Sequence, residues 1–334
     1  MLMINHPEFG KYEVETFVVD DKNSFTVACS PMRYSLPSNG GIRWLHYDSL
    51  SKQKNEAVML ARSMDLKHKL YNTGFSGGKI VVNSSETPEQ APQVFDEIAK
   101  VLNRYNGTMY TGCDINTNSG HMKYLKKFTP WILDSLDNPN VNTSIATGYG
   151  VWSALQKIIE FLSTDTVPVI AIHGMGKVGC EIAHQCIVHG YDVVAFDINI
   201  KPEIPVGVKI VNEDDFWATP SHVLCISSLS GILDIKIVNK IKTKWIISSS
   251  NSPFQNLSAQ KKLIDKKIKY LPDFVSNAGA VICDCIENRS PSFFNKLSQN
   301  QANYYVSILI GTKVEEILRR SDFFGCEPSV LINC

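Results

Sequence analysis

Six residues, Gly174-Met175-Gly176-Lys177-Val178-Gly179, constrain this chain more than any other stretch. They fit G-x-G-x-x-G, a spacing that says little alone and much in context. The apolar run VPVIAIH precedes them and an amphipathic segment follows, so the glycines join a strand to a helix. In that setting Gly174 permits the tight turn, Gly176 lets the backbone approach a pyrophosphate, and Gly179 lets helix and strand pack closely. The helix N-terminus offers free N–H groups and a partial positive charge to phosphates. The next strand, DVVAFD, ends at Asp197, 18 residues beyond Gly179. A carboxylate there accepts hydrogen bonds from both ribose hydroxyls and repels a 2′-phosphate, which predicts NAD rather than NADP. No arginine follows closely, although Lys201 is near.

The 334 residues suffice for about two domains. In the first part, YEVETFVVDD alternates apolar and polar residues as a half-buried strand does, and GGKIVVN reads as a short buried strand. NEAVMLARSMDLKHKL has helical spacing, and PEQAPQVFDEIAKVLNRY reads as another helix with Pro88 near its start. That alternation predicts an α/β domain over residues 1–144. The polar stretch DSLDNPNVNTS marks the crossing to a Rossmann domain over 145–287. There ATGYGVWSALQKIIEFL reads as a helix, while HVLCISS, KWIISSS and IKYLPDF read as further buried strands. Residues 288–334 form a helical segment, with a long amphipathic helix near 302–320 that is expected to return to the first domain.

Composition removes several classes of function. The chain carries 33 basic and 33 acidic residues, so no bulk charge draws it to nucleic acid or to an anionic membrane. No segment approaches the ~18 unbroken apolar residues of a membrane helix. Nine cysteines without a C-x-x-C read as free thiols, and with no recognisable secretory signal this predicts a cytoplasmic protein. Eight histidines form no H-x-x-x-H or H-E-x-x-H, so no metal site is expected.

Five motifs occur in order: NGGIR (39–43), MDLK (64–67), GFSGGK (74–79), TGCD (111–114) and PDFVSNAGAVI (272–282). Together they closely resemble the Glu/Leu/Phe/Val dehydrogenase family, nearer its leucine/phenylalanine/tryptophan branch, over about residues 36–287. The 12 residues between Lys67 and Lys79 equal the interval between that family's two active-site lysines.

The resemblance implies a fold and an activity: two α/β domains with the active site in the cleft, and NAD-dependent oxidative deamination of an L-amino acid to a 2-oxo acid and ammonia. It also implies roles. Lys67 would hold the substrate α-carboxylate. Lys79, on a glycine-rich turn, would have its pKa lowered by desolvation and a cationic neighbour, and would activate water. Asp114 would shuttle protons. Gly40, Gly41 and Met64 would border the substrate, and Gly77 and Gly78 would let backbone approach it. Thr147 matches a threonine near the substrate amino group, and Asn251 and Asn277 match asparagines lining the nicotinamide and the substrate. The resemblance further implies a homo-oligomer, a dimer or higher.

Departures from the family's pattern fall at Ser76, Ser228 and Ser249. Ser76 replaces a common glycine and is tolerable only where φ is negative. Ser228 stands near the adenosine, where weaker cofactor affinity is one consequence. A dinucleotide-binding relative without dehydrogenase activity is the alternative these serines keep open. Relatives select side chains at positions matching Asn39, Gly112, Val281 and Asp284. Glutamate enzymes place a lysine at the first and a serine at the last, so glutamate is not expected here. A buried carboxylate at Asp284 is costly unless met by a partner. A polar, basic or N–H-bearing aromatic side chain follows if it faces the substrate; an aliphatic pocket of the leucine type follows if it pairs within the protein.

Overall fold

A computed structural model describes residues 2–6, 10–199 and 203–331. Two compact units divide the chain: residues 1–139 with 284–296, and residues 140–283 with 297–334.

The first unit opens with strands β1 (Leu2–His6), β2 (Gly10–Val18), β3 (Asn23–Cys29), β4 (Ser38–Asn39) and β5 (Ile42–Leu45). Helix α1 (Leu50–Leu70) starts where the Ser49 side chain accepts from Lys52 N, which satisfies an N–H the helix cannot. Strand β6 (Ser76–Ser84), helix α2 (Gln93–Tyr105), strand β7 (Met109–Tyr110) and helix α3 (Ser119–Leu125) follow. The strands form one mixed sheet in the order β1-β2-β3-β6-β4-β7, with β5 also paired to β6. Strand β6 is antiparallel to β3 and parallel to β4 and β5. Successive side chains leave a strand on opposite faces, and β6 obeys this. Val81 packs with Ala57, Val58, Leu60 and Ala61 of α1, whereas Ile80 and Val82 join Phe95, Ile98 and Leu102 of α2. The sheet is thus a middle layer, with β6, the strand that carries Lys79, central.

The second unit begins with α4 (Thr143–Leu162), capped by Asn142. Strands β8 (Val169–His173), β9 (Asp192–Phe196), β10 (Lys209–Ile210), β11 (Pro220–Ile226), β12 (Lys242–Ser248) and β13 (Lys269–Tyr270) alternate with α5 (Lys177–Val188), α6 (Glu213–Ala218), α7 (Ile235–Lys240) and α8 (Leu257–Asp265). All are parallel, in the order β10-β9-β8-β11-β12-β13. That is the doubly wound arrangement, whose strand order reverses between β8 and β11. Short helix α9 (Asp273–Ser276) leads into α10 (Gly279–Arg289), and α10 passes from the second unit to the first between Cys283 and Asp284. After α11 (Pro291–Phe294), helix α12 (Gln299–Phe324) and α13 (Pro328–Leu331) complete the chain.

Two placements differ from the expectations. The expected boundaries at 144 and 287 move to 139 and 283, and the segment 284–296 rejoins the first unit. The helix expected at 302–320 belongs to the second unit, where Val306 and Ile310 lie over Gly150 of α4. Its apolar stripe finds a complementary glycine-bearing groove there, a match no local pattern reveals. Pro88 lies five residues before Gln93, the first residue of α2, and Pro92 is the residue at its N-cap.

Candidate active site

Lys79 lies in the body of β6, buried, with its Nζ 2.8 Å from Asp114 Oδ2. The same carboxylate oxygen receives Arg43 Nε at 2.9 Å, and Arg43 Nη1 reaches Glu56 Oε1 at 2.6 Å. Arg43 comes from β5, Glu56 from α1 and Asp114 from the loop after β7. Burial lowers the Lys79 pKa; the Asp114 charge opposes this, and the Arg43 cation adds to it. Burial alone would raise Asp114, but Lys79 and Arg43 outweigh it and hold the carboxylate well below its ordinary range. The result is a desolvated amine against an ionised acid, an arrangement suited to proton transfer.

The expected glycine-rich turn at Lys79 is instead extended strand. A Cβ at Gly77 would lie 2.0 Å from Ala61 O, and one at Gly78 would lie 2.6 Å from Met109 Sδ. These glycines therefore bring β6 against its neighbours on both faces. Ser76 avoids positive φ and donates to Leu36 O at 2.6 Å, so its departure from glycine carries no backbone strain. Gly40, Gly41 and Gly112 sit where backbones meet: a Cβ would be 1.8 Å from Gly78 O, 2.6 Å from Cys113 O and 2.3 Å from Leu133 O, respectively.

Lys67 and Met64 are both buried on α1. Asn39, at the end of β4, donates from Nδ2 to Asp284 Oδ2 at 2.8 Å. Burial pushes Asp284 well above the ordinary carboxylate range; Asn39 opposes this, while Glu287 and Asp134 add to it. Glu287 is itself pushed up to about 7, chiefly by burial.

In the second unit, Gly174 adopts φ +98 at the end of β8 and Gly176 caps α5. A Cβ on Gly176 would meet nothing within 4 Å, whereas one on Gly179 would lie 2.0 Å from Gly174 O. The turn thus leaves open room at Gly176, beside the N-terminal residues Lys177 and Val178 of a 12-residue helix. Asp197 Oδ2 accepts from Met175 N at 2.6 Å and Oδ1 from Asn199 N at 2.8 Å. A carboxylate has about four acceptor sites, so hydroxyl donors can still be received. Ser228 Oγ lies 2.7 Å from His173 Nδ1. Asn277 donates to Ser249 O, Ser250 O and Asn251 Oδ1, yet its own Oδ1 is buried without a partner. That orphaned acceptor and the open turn both fit a bound dinucleotide. Thr147 Oγ1 donates to Thr143 O and accepts from Ala280 N at 3.0 Å, tying α4 to the start of α10, where Val281 is buried. Lys201 lies outside the described residues.

Sequence reasoning missed three participants. Arg43 stands inside the NGGIR motif, where nothing local assigns it a role. Glu56 and His68 carry no local signal. His68 Nδ1 is 2.7 Å from Thr73 Oγ1 and its Nε2 is 3.3 Å from Asn39 O, which fixes the backbone behind Asn39. Among the described residues, no group of three or more His, Cys, Asp or Glu could hold a metal ion, and no helix is long and apolar enough to cross a membrane.

Comparison with known proteins agrees with this geometry. A profile of the glutamate/leucine/phenylalanine/valine dehydrogenases matches residues 201–321. Phenylalanine dehydrogenase of Lysinibacillus sphaericus is 28% identical over 260 residues, 74% of this chain and 68% of the relative. Leucine dehydrogenase of Thermoactinomyces intermedius is 25% identical, covering 81% of this chain and 78% of the relative. The crystal structure of L-tryptophan dehydrogenase from Nostoc punctiforme shares the fold with a TM-score of 0.72 at 19% identity, covering 96% of this chain and 93% of that one. Ordered motifs, doubly wound sheet and sequence relatives point the same way: the chain is similar to the glutamate/leucine/phenylalanine/valine dehydrogenases in sequence and in fold.

Proposed function

We propose that this protein catalyses the reversible, NAD-dependent oxidative deamination of an L-amino acid to a 2-oxo acid and ammonia. The observation that carries the reading is the buried pair of Lys79 and Asp114, 2.8 Å apart, with Lys79 lowered and Asp114 held ionised. Lys67 holds the substrate α-carboxylate by a charge-assisted hydrogen bond. Neutral Lys79 takes a proton from the water that adds to the imino acid, and Asp114 carries protons to and from the amine and the carbinolamine. Arg43 keeps Asp114 ionised throughout. When bound, NAD supplies the hydride acceptor. Gly174–Gly179 would hold its pyrophosphate, Asp197 its ribose, Ser228 would border its adenosine side, and Asn251 and Asn277 would line its nicotinamide.

Asn39, Gly112, Val281 and Asp284 set the side-chain preference in this reading. The raised Asp284 supports a polar, basic or N–H-bearing aromatic substrate, because an incoming donor or cation would satisfy a buried carboxyl group that Asn39 meets on one oxygen. The same hydrogen bond favours a second reading, in which Asn39 already pairs the carboxylate and an aliphatic substrate of the leucine type is taken. A homo-oligomer in the cytoplasm completes the proposal, checked by light scattering and cell fractionation.

The test is NAD reduction over a panel of L-amino acids, with Lys79→Ala as control. Turnover abolished by Lys79→Ala is expected. NAD binding with no turnover on any amino acid would decide against the enzyme. Strong activity on leucine and none on lysine, arginine, histidine or tryptophan would select the aliphatic reading.

A further inference from the structure

The 12-residue interval between Lys67 and Lys79 recurs two residues earlier, between Asp65 and Gly77. At that earlier step the helix and the strand are joined directly, because Gly77 N–H donates to Asp65 Oδ1. The other oxygen, Oδ2, accepts from the Tyr12 hydroxyl at 2.5 Å. Ser30 also bonds the Asp65 carboxylate through its side chain, while its N–H donates to Gly77 O at 2.8 Å. Tyr12 and Ser30 are both buried. Thus three segments, β2, the end of β3 and the start of β6, converge on one carboxylate of α1. A Cβ on Gly77 would sit 2.6 Å from Asp65 N, so strand and helix touch backbone to backbone here.

Residues i and i+2 of a strand share a face. Gly77 faces α1, so Lys79 leaves β6 on that side, and Lys67 is carried by α1 itself. Any slip of β6 along α1 changes the separation of the two lysines directly. We propose that Asp65, braced by Tyr12 and Ser30, is a positioning residue that pins β6 to α1 and so fixes the distance between the substrate-holding and water-activating lysines. The inference rests on the dehydrogenase reading for what the lysines do, and on the hydrogen bonds alone for the pin.

Asp65→Asn, Asp65→Leu and Tyr12→Phe test it, read by kcat, KM, the pH profile of kcat/KM and amide exchange over residues 76–79. Asp65→Asn keeps an oxygen for Gly77 N–H and stays close to the parent. Asp65→Leu removes the pin. A misplacement of about 1 Å costs on the order of 10²-fold in kcat, KM for the amino acid rises, and exchange over 76–79 accelerates. Water then reaches Lys79, so its pKa climbs and the acid limb moves to higher pH. A purely structural Asp65 would lower Tm and leave the acid limb in place. Should Asp65→Leu not fold, Tyr12→Phe carries the test with smaller shifts in the same directions. Parent-like kcat, acid limb and exchange in folded Asp65→Leu, or in Tyr12→Phe where Asp65→Leu does not fold, overturn the pin. Absence of turnover in the parent would sink the dehydrogenase reading instead, and exchange over 76–79 then decides the pin by itself.

Discussion

Asp114 receives two cations on a single oxygen, Lys79 at 2.8 Å and Arg43 at 2.9 Å. A lone buried carboxylate would protonate; here the second cation keeps it ionised and also helps Lys79 lose its proton. Glu287 shows the opposite balance. Burial pushes it up to about 7 from 4.5, Ser135 N–H and Lys126 oppose the rise, and Asp134 and Asp137 add to it. Its folded state therefore binds a proton more tightly than its unfolded state, and stability falls as pH climbs from 4.5 through about 7. Glu287→Gln is expected to match the parent below that window and to be more stable above it by about 3 kcal/mol. Urea unfolding at pH 4 and pH 8 checks this; equal stability at both would refute it. At this scale the sequence singled out Lys67, Lys79 and Asp114 through motifs that resemble a known family, and the structure pairs Lys79 with Asp114. It did not reveal Glu56 or Asp65, whose partners lie 13 and 12 residues away on other elements.

Helices and strands followed their local signals where those were strong. Helix α12 has both ends written in the sequence: Ser298 and Gln301 form a capping box, and Gly325 closes it at φ +62. Strand β13 was read as a full strand but pairs over two residues only, since Leu271 and Pro272 lead straight into α9. The glycines of the β8–α5 turn separate two roles that the motif merges. Gly176→Ala meets nothing in the protein, so Tm should hold while NAD affinity drops about tenfold from the lost pyrophosphate approach. Gly179→Ala drives a methyl to 2.0 Å from Gly174 O and should lose both affinity and stability. Calorimetric melting and NAD titration of the two variants distinguish these outcomes, and an equal Tm loss in both would contradict the assignment.

For the whole molecule, the second unit's parallel sheet presents the β8–α5 turn at the reversal of strand order, where such sheets take ligands. NAD at about 100 times its Kd should then add about 2.7 kcal/mol of stability. Amide exchange should slow across residues 169–199, and no slowing there would argue against binding at this turn. The sequence by itself determined the fold class and the glycine turn followed by Asp197, because each depends on spacing along one stretch of chain, and it singled out Lys67, Lys79 and Asp114 only through motif resemblance. Only the tertiary structure decided that Gly77 lies against α1, that the last long helix belongs to the second unit, and that Arg43 completes the Lys79–Asp114 pair. Those outcomes depend on which faces meet, and burial sets the protonation of Lys79, Asp284 and Glu287 only once distant segments have closed over them.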